Sequence, residues 1–260
     1  MGEPSPLPSP LDDVPELFRG ALARELAVGD HLLAFVCTPV RVSVGRRSPA
    51  SILAFTDSDW IVIQQGPRGA LDKTRCGYAD TMLIDFMTGR LHACLRIDFV
   101  FAGGLRPLAI EFDPALEGVY LGALRRLLNA LRGARTVAGR ESNECPPLVS
   151  RWPAVLPRHH LWCDGALSPQ VAFAAQENEL VLVSEEIGSS PPSGPASGRI
   201  ATYCPLSRLE GFRISNVGIL ATVGLHLKAA EVSQTILVDI PAEHKTAVSG
   251  FLEAFLRRKR

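Results

Sequence analysis

The sequence has no surplus of either charge. Lys and Arg together number 27, and Asp and Glu also number 27. A balanced chain projects no long-range field, so nucleic acid is not expected as a partner, and binding to an anionic membrane surface would need a local patch. The chain also has no run of ~20 apolar residues, the length that a membrane-spanning helix requires. Met1 to Pro10 carries neither a basic start nor an apolar stretch and does not read as a signal peptide, so a cytoplasmic, reducing location is expected. Six cysteines (Cys37, Cys76, Cys94, Cys145, Cys163 and Cys204) form no Cys-x-x-Cys pair. Cys37 and Cys94 lie inside apolar runs, where a free thiol acts as a small hydrophobe. There is no phosphate-cradling glycine loop, nucleophile elbow or paired-histidine zinc helix. No cofactor and no catalytic activity are therefore expected.

The composition that remains is that of a folded globular chain. At 47% hydrophobic and 21% charged, the 260 residues fall outside the disordered class and suffice for one large domain or two ordinary ones. Residues 1–13 are rich in proline and serine and read as a disordered tail. Asp12 and Asp13 can cap a helix starting near Val14 and Pro15, with Leu17, Phe18, Ala21, Leu22 and Leu26 at helical spacing. From Leu32 the period changes to that of short strands, separated by turns at residues 45–49 and 57–59, and residues 66–77 read as a loop. Strands follow over residues 78–86, 91–101 and 108–112. Asp113 and Pro114 then open a helix to Leu131, with one apolar stripe that includes Tyr120, Ala123, Leu124, Leu127 and Leu128. Residues 134–147 read as a linker, and the Ser/Pro-rich residues 186–198 as a mobile loop.

The same order then recurs. Strands at 171–175, 180–184, 199–204, 206–212, 217–227 and 235–240 precede a helix over residues 241–257. Asp57 aligns with Glu177 at a spacing of 120, Phe86 with Phe212 at 126, and Leu124 with Leu252 at 128. Slow growth of the spacing is what loop insertions in a duplicated unit produce.

Each copy holds about seven short antiparallel strands and one amphipathic helix. A sheet of that size must bend to hide its apolar face, and one helix can close the open end. The expected fold is thus mainly β: two bent antiparallel sheets in tandem, each capped by a helix. The stretch Leu53-Ala54-Phe55-Thr56-Asp57-Ser58-Asp59-Trp60-Ile61-Val62 with the helix at 114–131, and residues 177–183 with 241–256, resemble the pleckstrin-homology-like family, its bacterial members in particular. The chain departs from that family in carrying Asp59 and Glu179 where a basic residue is common, and its second copy lacks the Thr-Asp pair. The resemblance implies one barrel at residues 14–133, a linker at 134–147 and a second barrel at 148–260. It also implies a binding role, with a protein or peptide adding at a sheet edge or beside the closing helix.

Four groups of residues could carry chemistry. Arg41, Arg46 and Arg47 flank the first hairpin, where members of the resembled family bind inositol phosphates; the alternative is a solvated turn. His159, His160 and Cys163, with Asp164, gather metal-type ligands, but adjacent histidines point apart and no partner pair follows at zinc spacing, so a surface or packing role is the other reading. Asp57 and Asp59, like Glu177 and Glu179, look like paired carboxylates, yet their place at tight turns accounts for them. Arg257, Arg258, Lys259 and Arg260, with Arg125, Arg126 and Arg132 on the earlier helix, complement the negative ends of helix dipoles.

Overall fold

Pro15 opens the first helix, since its fixed φ suits a helix start and it has no N–H to leave unpaired. In a computed structural model that describes residues 11–43, 46–89, 93–132, 162–163, 166–167, 171–175, 178–187 and 197–259, α1 spans Glu16–Glu25 and buries Phe18, Ala21 and Leu22. Neither Asp12 nor Asp13 caps it. Pro15 takes the N-cap without a side-chain bond, and the Arg19 guanidinium instead donates to the carbonyls of Asp12 and Val14.

The first sheet has the order β1 (Ala34–Thr38), β4 (Ser51–Phe55), β5 (Asp59–Gln65), β6 (Leu71–Gly77), all antiparallel. The short hairpin of β2 (Arg41–Ser43) and β3 (Arg46–Ser48) lies between β1 and β4 in the chain. Every residue of β4 is buried, because both faces of the sheet are covered. Ile52, Ala54, Ile61 and Ile63 pack against α1, while Leu53, Phe55, Trp60 and Val62 enter a larger core. The expected loop at 66–77 is therefore corrected: most of it is β6. Its polar side chains read as a loop because an edge strand is held by backbone pairing and leaves its side chains in water.

The next strands are β7 (Thr81–Thr88), β8 (Ala93–Phe101) and β9 (Gly104–Phe112). Asp113 accepts a hydrogen bond from the Ala115 amide at 2.9 Å and caps the 3-10 turn Pro114–Leu116, which leads into α2 (Glu117–Leu131). A two-residue hairpin, β10 (Trp162–Cys163) with β11 (Ala166–Leu167), precedes β12 (Val171–Ala175), β13 (Glu179–Ile187) and β14 (Ser197–Pro205). The chain then forms β15 (Leu209–Val217), β16 (Leu220–Ala229) and β17 (Val232–Pro241), the 3-10 turn Ala242–His244, α3 (Lys245–Leu256) and a last turn at Arg257–Lys259. The linker at 134–147, most of the expected loop at 186–198, His159 and His160 lie outside the described residues.

One sheet crosses both halves of the chain. β14 pairs with β7, giving the order β12-β13-β14-β7-β8-β9. Its two faces line different cores. Ile84, Phe86, Val181 and Tyr203 join the core closed by α2, whereas Met82, Phe173, Leu180, Leu182 and Cys204 join the core closed by β15–β17 and α3. This explains the unbroken apolar run Leu180-Val181-Leu182-Val183, since alternate residues feed opposite cores.

Meander, 3-10 turn and helix occur twice in the same order. Thr81 and Leu209, Gly104 and Val232, Pro114 and Ala242, and Glu117 and Lys245 each open corresponding elements, 128 residues apart. Ile84 pairs with Ile97 as Phe212 pairs with Leu225, and Phe86 with Leu95 as Ile214 with Val223. The counterpart of Phe212 is thus Ile84, two residues from the expected Phe86.

Candidate functional site

Corresponding positions in the two meanders differ at one edge. In the first, β14 lies along β7 in antiparallel register, with Arg199 opposite Thr88 and Tyr203 opposite Ile84. Its Tyr203 phenol is buried in the core that contains Ala123, Leu124 and Leu127 of α2. Burial, reinforced by the Glu179 carboxylate, pushes its pKa up to about 12. Beyond the pairing residues, Glu179 on the neighbouring strand β13 takes the Arg132 guanidinium at the end of α2, at 2.7 and 2.6 Å. Glu179 sits opposite Pro205 across β13–β14, so this ion pair lies at the C-terminal end of the added strand.

In the second meander, β15 pairs with β16 alone among the described residues. The consequence shows in four side chains. Ile84, Phe86, Ala123 and Leu128 are 0%, 5%, 2% and 3% exposed. Their counterparts Phe212, Ile214, Phe251 and Leu256 are only half-buried, packed against the second core from one side. α3 runs beside β15 in the opposite direction. The Lys245 ammonium donates to the Asn216 amide oxygen at 3.2 Å, and the Lys259 ammonium donates to the Leu209 carbonyl at 3.1 Å. Arg257, Arg258 and Lys259 are exposed on the last turn, where Arg258 also lies over the Phe255 ring at 5.7 Å. The site is therefore a strand edge with an apolar floor and a cationic end.

Two other sheet edges, those of β6 and β9, are blunted. β6 carries Lys73 and Arg75, tied to Glu25 and to Asp30 and Asp59. β9 exposes Arg106 and Pro107. Charged edge residues and proline are the usual guards against stray pairing.

Polar groups also hold the junction between the halves. The Arg208 guanidinium donates to the carbonyls of Tyr78, Ala79 and Thr81. The Thr202 hydroxyl donates to Asp85 at 2.6 Å, and burial raises the Asp85 pKa. Asp98, 1% exposed, accepts from Arg96 at 2.8 and 3.1 Å and from the Gln234 amide at 3.3 Å.

The sequence candidates fall elsewhere. Arg41 donates to the Phe112 carbonyl at 3.3 Å and lies 3.7 Å from Asp113, so its charge is engaged within the fold. Arg46 and Arg47 stand in β3, opposite Ser43 and Val42, and only their backbone is described. Cys163 ends β10, likewise described by its backbone alone. Asp59 is bound by Arg75, and Glu179 by Arg132. Among the described residues no group of three or more His, Cys, Asp or Glu side chains is gathered as metal ligands, and no helix is long and apolar enough to cross a membrane. The site residues Phe212, Ile214, Phe251 and Leu256 are missing from the sequence-based candidates, because their spacing marks them as core.

Compared with known proteins, the chain matches no family model, and no curated protein is similar to it in sequence.

Proposed function

We propose that the chain is a non-catalytic recognition protein built from two pleckstrin-homology-like units, and that its second unit takes an extended segment of a protein partner along β15. Two observations support the paired units: the recurring order of meander, turn and helix, and the constant spacing of 128 residues between their parts. The observation that carries the function is the occupancy of the β7 edge by β14 while the corresponding edge of β15 has no strand on it among the described residues. An added strand gains affinity from main-chain hydrogen bonds and selectivity from every second side chain. Phe212, Ile214, Phe251 and Leu256 supply the surface that such side chains would cover.

The reading is tested by selecting a displayed random dodecapeptide library on the full chain, then measuring hydrogen exchange with each enriched peptide bound. Slowed exchange of amides in Leu209–Val217 is expected. Peptides that protect only other segments, or no enrichment at all, would overturn the reading.

A further inference from the structure

The occupied edge also indicates what the open one is shaped to accept. We infer that the segment taken by β15 runs antiparallel to it, sets an aromatic or aliphatic side chain against Phe212 and Phe251, and carries carboxylates beyond its C-terminal pairing residues, against Arg257, Arg258 and Lys259. This rests on the strand-addition reading above and names the partner: an acidic segment of another protein, not a second copy of this chain.

The direction and the aromatic follow from β14. Tyr203 lies opposite Ile84, whose counterpart is Phe212, and it is buried in the same core as Ala123, whose counterpart is Phe251. In the second half the floor is present, and among the described residues no strand pairs with β15 to bring a side chain over it.

The charge follows from the helix ends. At the filled edge the cation of α2, Arg132, is met by a carboxylate that arrives with the added strands. At the open edge Lys259 already reaches the Leu209 carbonyl, which places the basic turn at the start of β15. An antiparallel segment brings its C-terminal end to that point. Of the three cations, Arg257 has an acidic neighbour, Glu253, at 3.8 Å, and both side chains are more than half exposed. Such a pair is weak and yields readily to a partner.

The corresponding strand of a second copy is a poor occupant. The strand of the first half that stands where β14 stands in the second is β6: Cys76 faces Trp60 there as Cys204 faces Leu180. At the positions of Ala201 and Tyr203, opposite Val183 and Val181, β6 has Lys73 and Arg75, opposite Ile63 and Ile61. Docking β6 on β15 in that register would therefore set Lys73 and Arg75, with the carboxylates that hold them, over the apolar floor. The sheet face behind it, with Ile52, Ala54, Ile61 and Ile63, is already covered by α1. Desolvating charged side chains against an apolar surface opposes pairing.

The test repeats the dodecapeptide selection on the R257Q/R258Q/K259Q variant, whose three positions are exposed. On the unaltered chain, β15-protecting peptides should carry Asp and Glu in excess of Lys and Arg in their C-terminal halves. Their affinity should fall roughly tenfold on the variant and in 0.5 M NaCl, where exposed charges are screened. β15-protecting peptides with no acidic excess, or with equal affinity for both proteins, would overturn the acidic partner and leave strand addition standing. If no selected peptide protects β15, both readings fall together. Sedimentation of the chain alone at about 0.1 mM should show a single species; reversible assembly that slows exchange in β15 would instead make a second copy the occupant.

Discussion

Arg132 and Glu179 form a two-pronged ion pair, at 2.7 and 2.6 Å, that joins the end of α2 to the start of β13. Glu179 is 1% exposed, and that guanidinium is its ion-pair partner. The first half of the chain thus supplies the counter-charge for a buried carboxylate of the second.

Removing one partner should therefore be costly. Arg132→Ala is expected to lower stability by about 3 kcal/mol, because an ion left alone in the interior loses more than the pair gave. The double variant Arg132→Met with Glu179→Leu should lose less than Arg132→Ala alone. Urea denaturation of the three proteins measures both differences.

Asp85 gives a dependence on pH. Burial raises its pKa above the ordinary 3.8, opposed by the Thr202 hydroxyl and Arg96. Raised folded-state affinity for the proton means that the folded protein binds more protons than the unfolded chain just above pH 3.8, so this group's contribution declines as pH rises through that window. Asp85→Asn keeps an acceptor for Thr202 and removes the buried charge. Its stability relative to the unaltered chain should grow from pH 4 toward pH 7 in urea titrations; a difference that shrinks with pH would contradict the assignment.

Tyr203 tests the shared wall. It belongs to β14 but fills the core beneath α2. Tyr203→Ala should cost about 3–5 kcal/mol, as for other large aromatic deletions. Hydrogen exchange should quicken in Glu117–Leu131 as well as in β14, and calorimetry should show one unfolding transition rather than two. Loosening confined to β13 and β14 would mean that the halves are energetically separate.

The described cysteines should be slow to react. Burial pushes the Cys37 and Cys94 thiols up to about 11 and Cys76 up to about 12, and raises Cys204 further. Thiolate is the reactive form, so little of it exists at pH 8. In a Cys145→Ser, Cys163→Ser protein, Ellman's reagent should consume buried Cys76, Cys94 and Cys204 at the rate of unfolding, with half-buried Cys37 ahead of them. A rapid burst from Cys76, Cys94 or Cys204 would contradict the packing.

Much of the element order could be read directly from residues. Asp113-Pro114 opens its helix by capping chemistry that is local. The apolar steps from Tyr120 to Leu128 and the run Trp60-Ile61-Val62-Ile63 are likewise local patterns. β6 was hidden, because Asp72, Lys73 and Arg75 owe their strand geometry to pairing with β5 rather than to their own preferences. β15 was displaced, since Leu206 has the character of a strand residue yet sits in the turn that Arg208 anchors. The run Leu180-Val181-Leu182-Val183 did carry the sign of a strand covered on both faces, and it was read only as a strand.

By itself the sequence determined the three helices and most of the strands, that the order of elements recurs, and that Leu124 and Leu252 face cores. Those outcomes depend on spacing along the chain, which side-chain pattern encodes. Only the tertiary structure decided that β14 closes the edge of β7 and that β15, among the described residues, pairs with β16 alone. Backbone N–H and C=O groups are alike in every residue except proline, so the choice of partner strand leaves no mark in the sequence until distant surfaces meet.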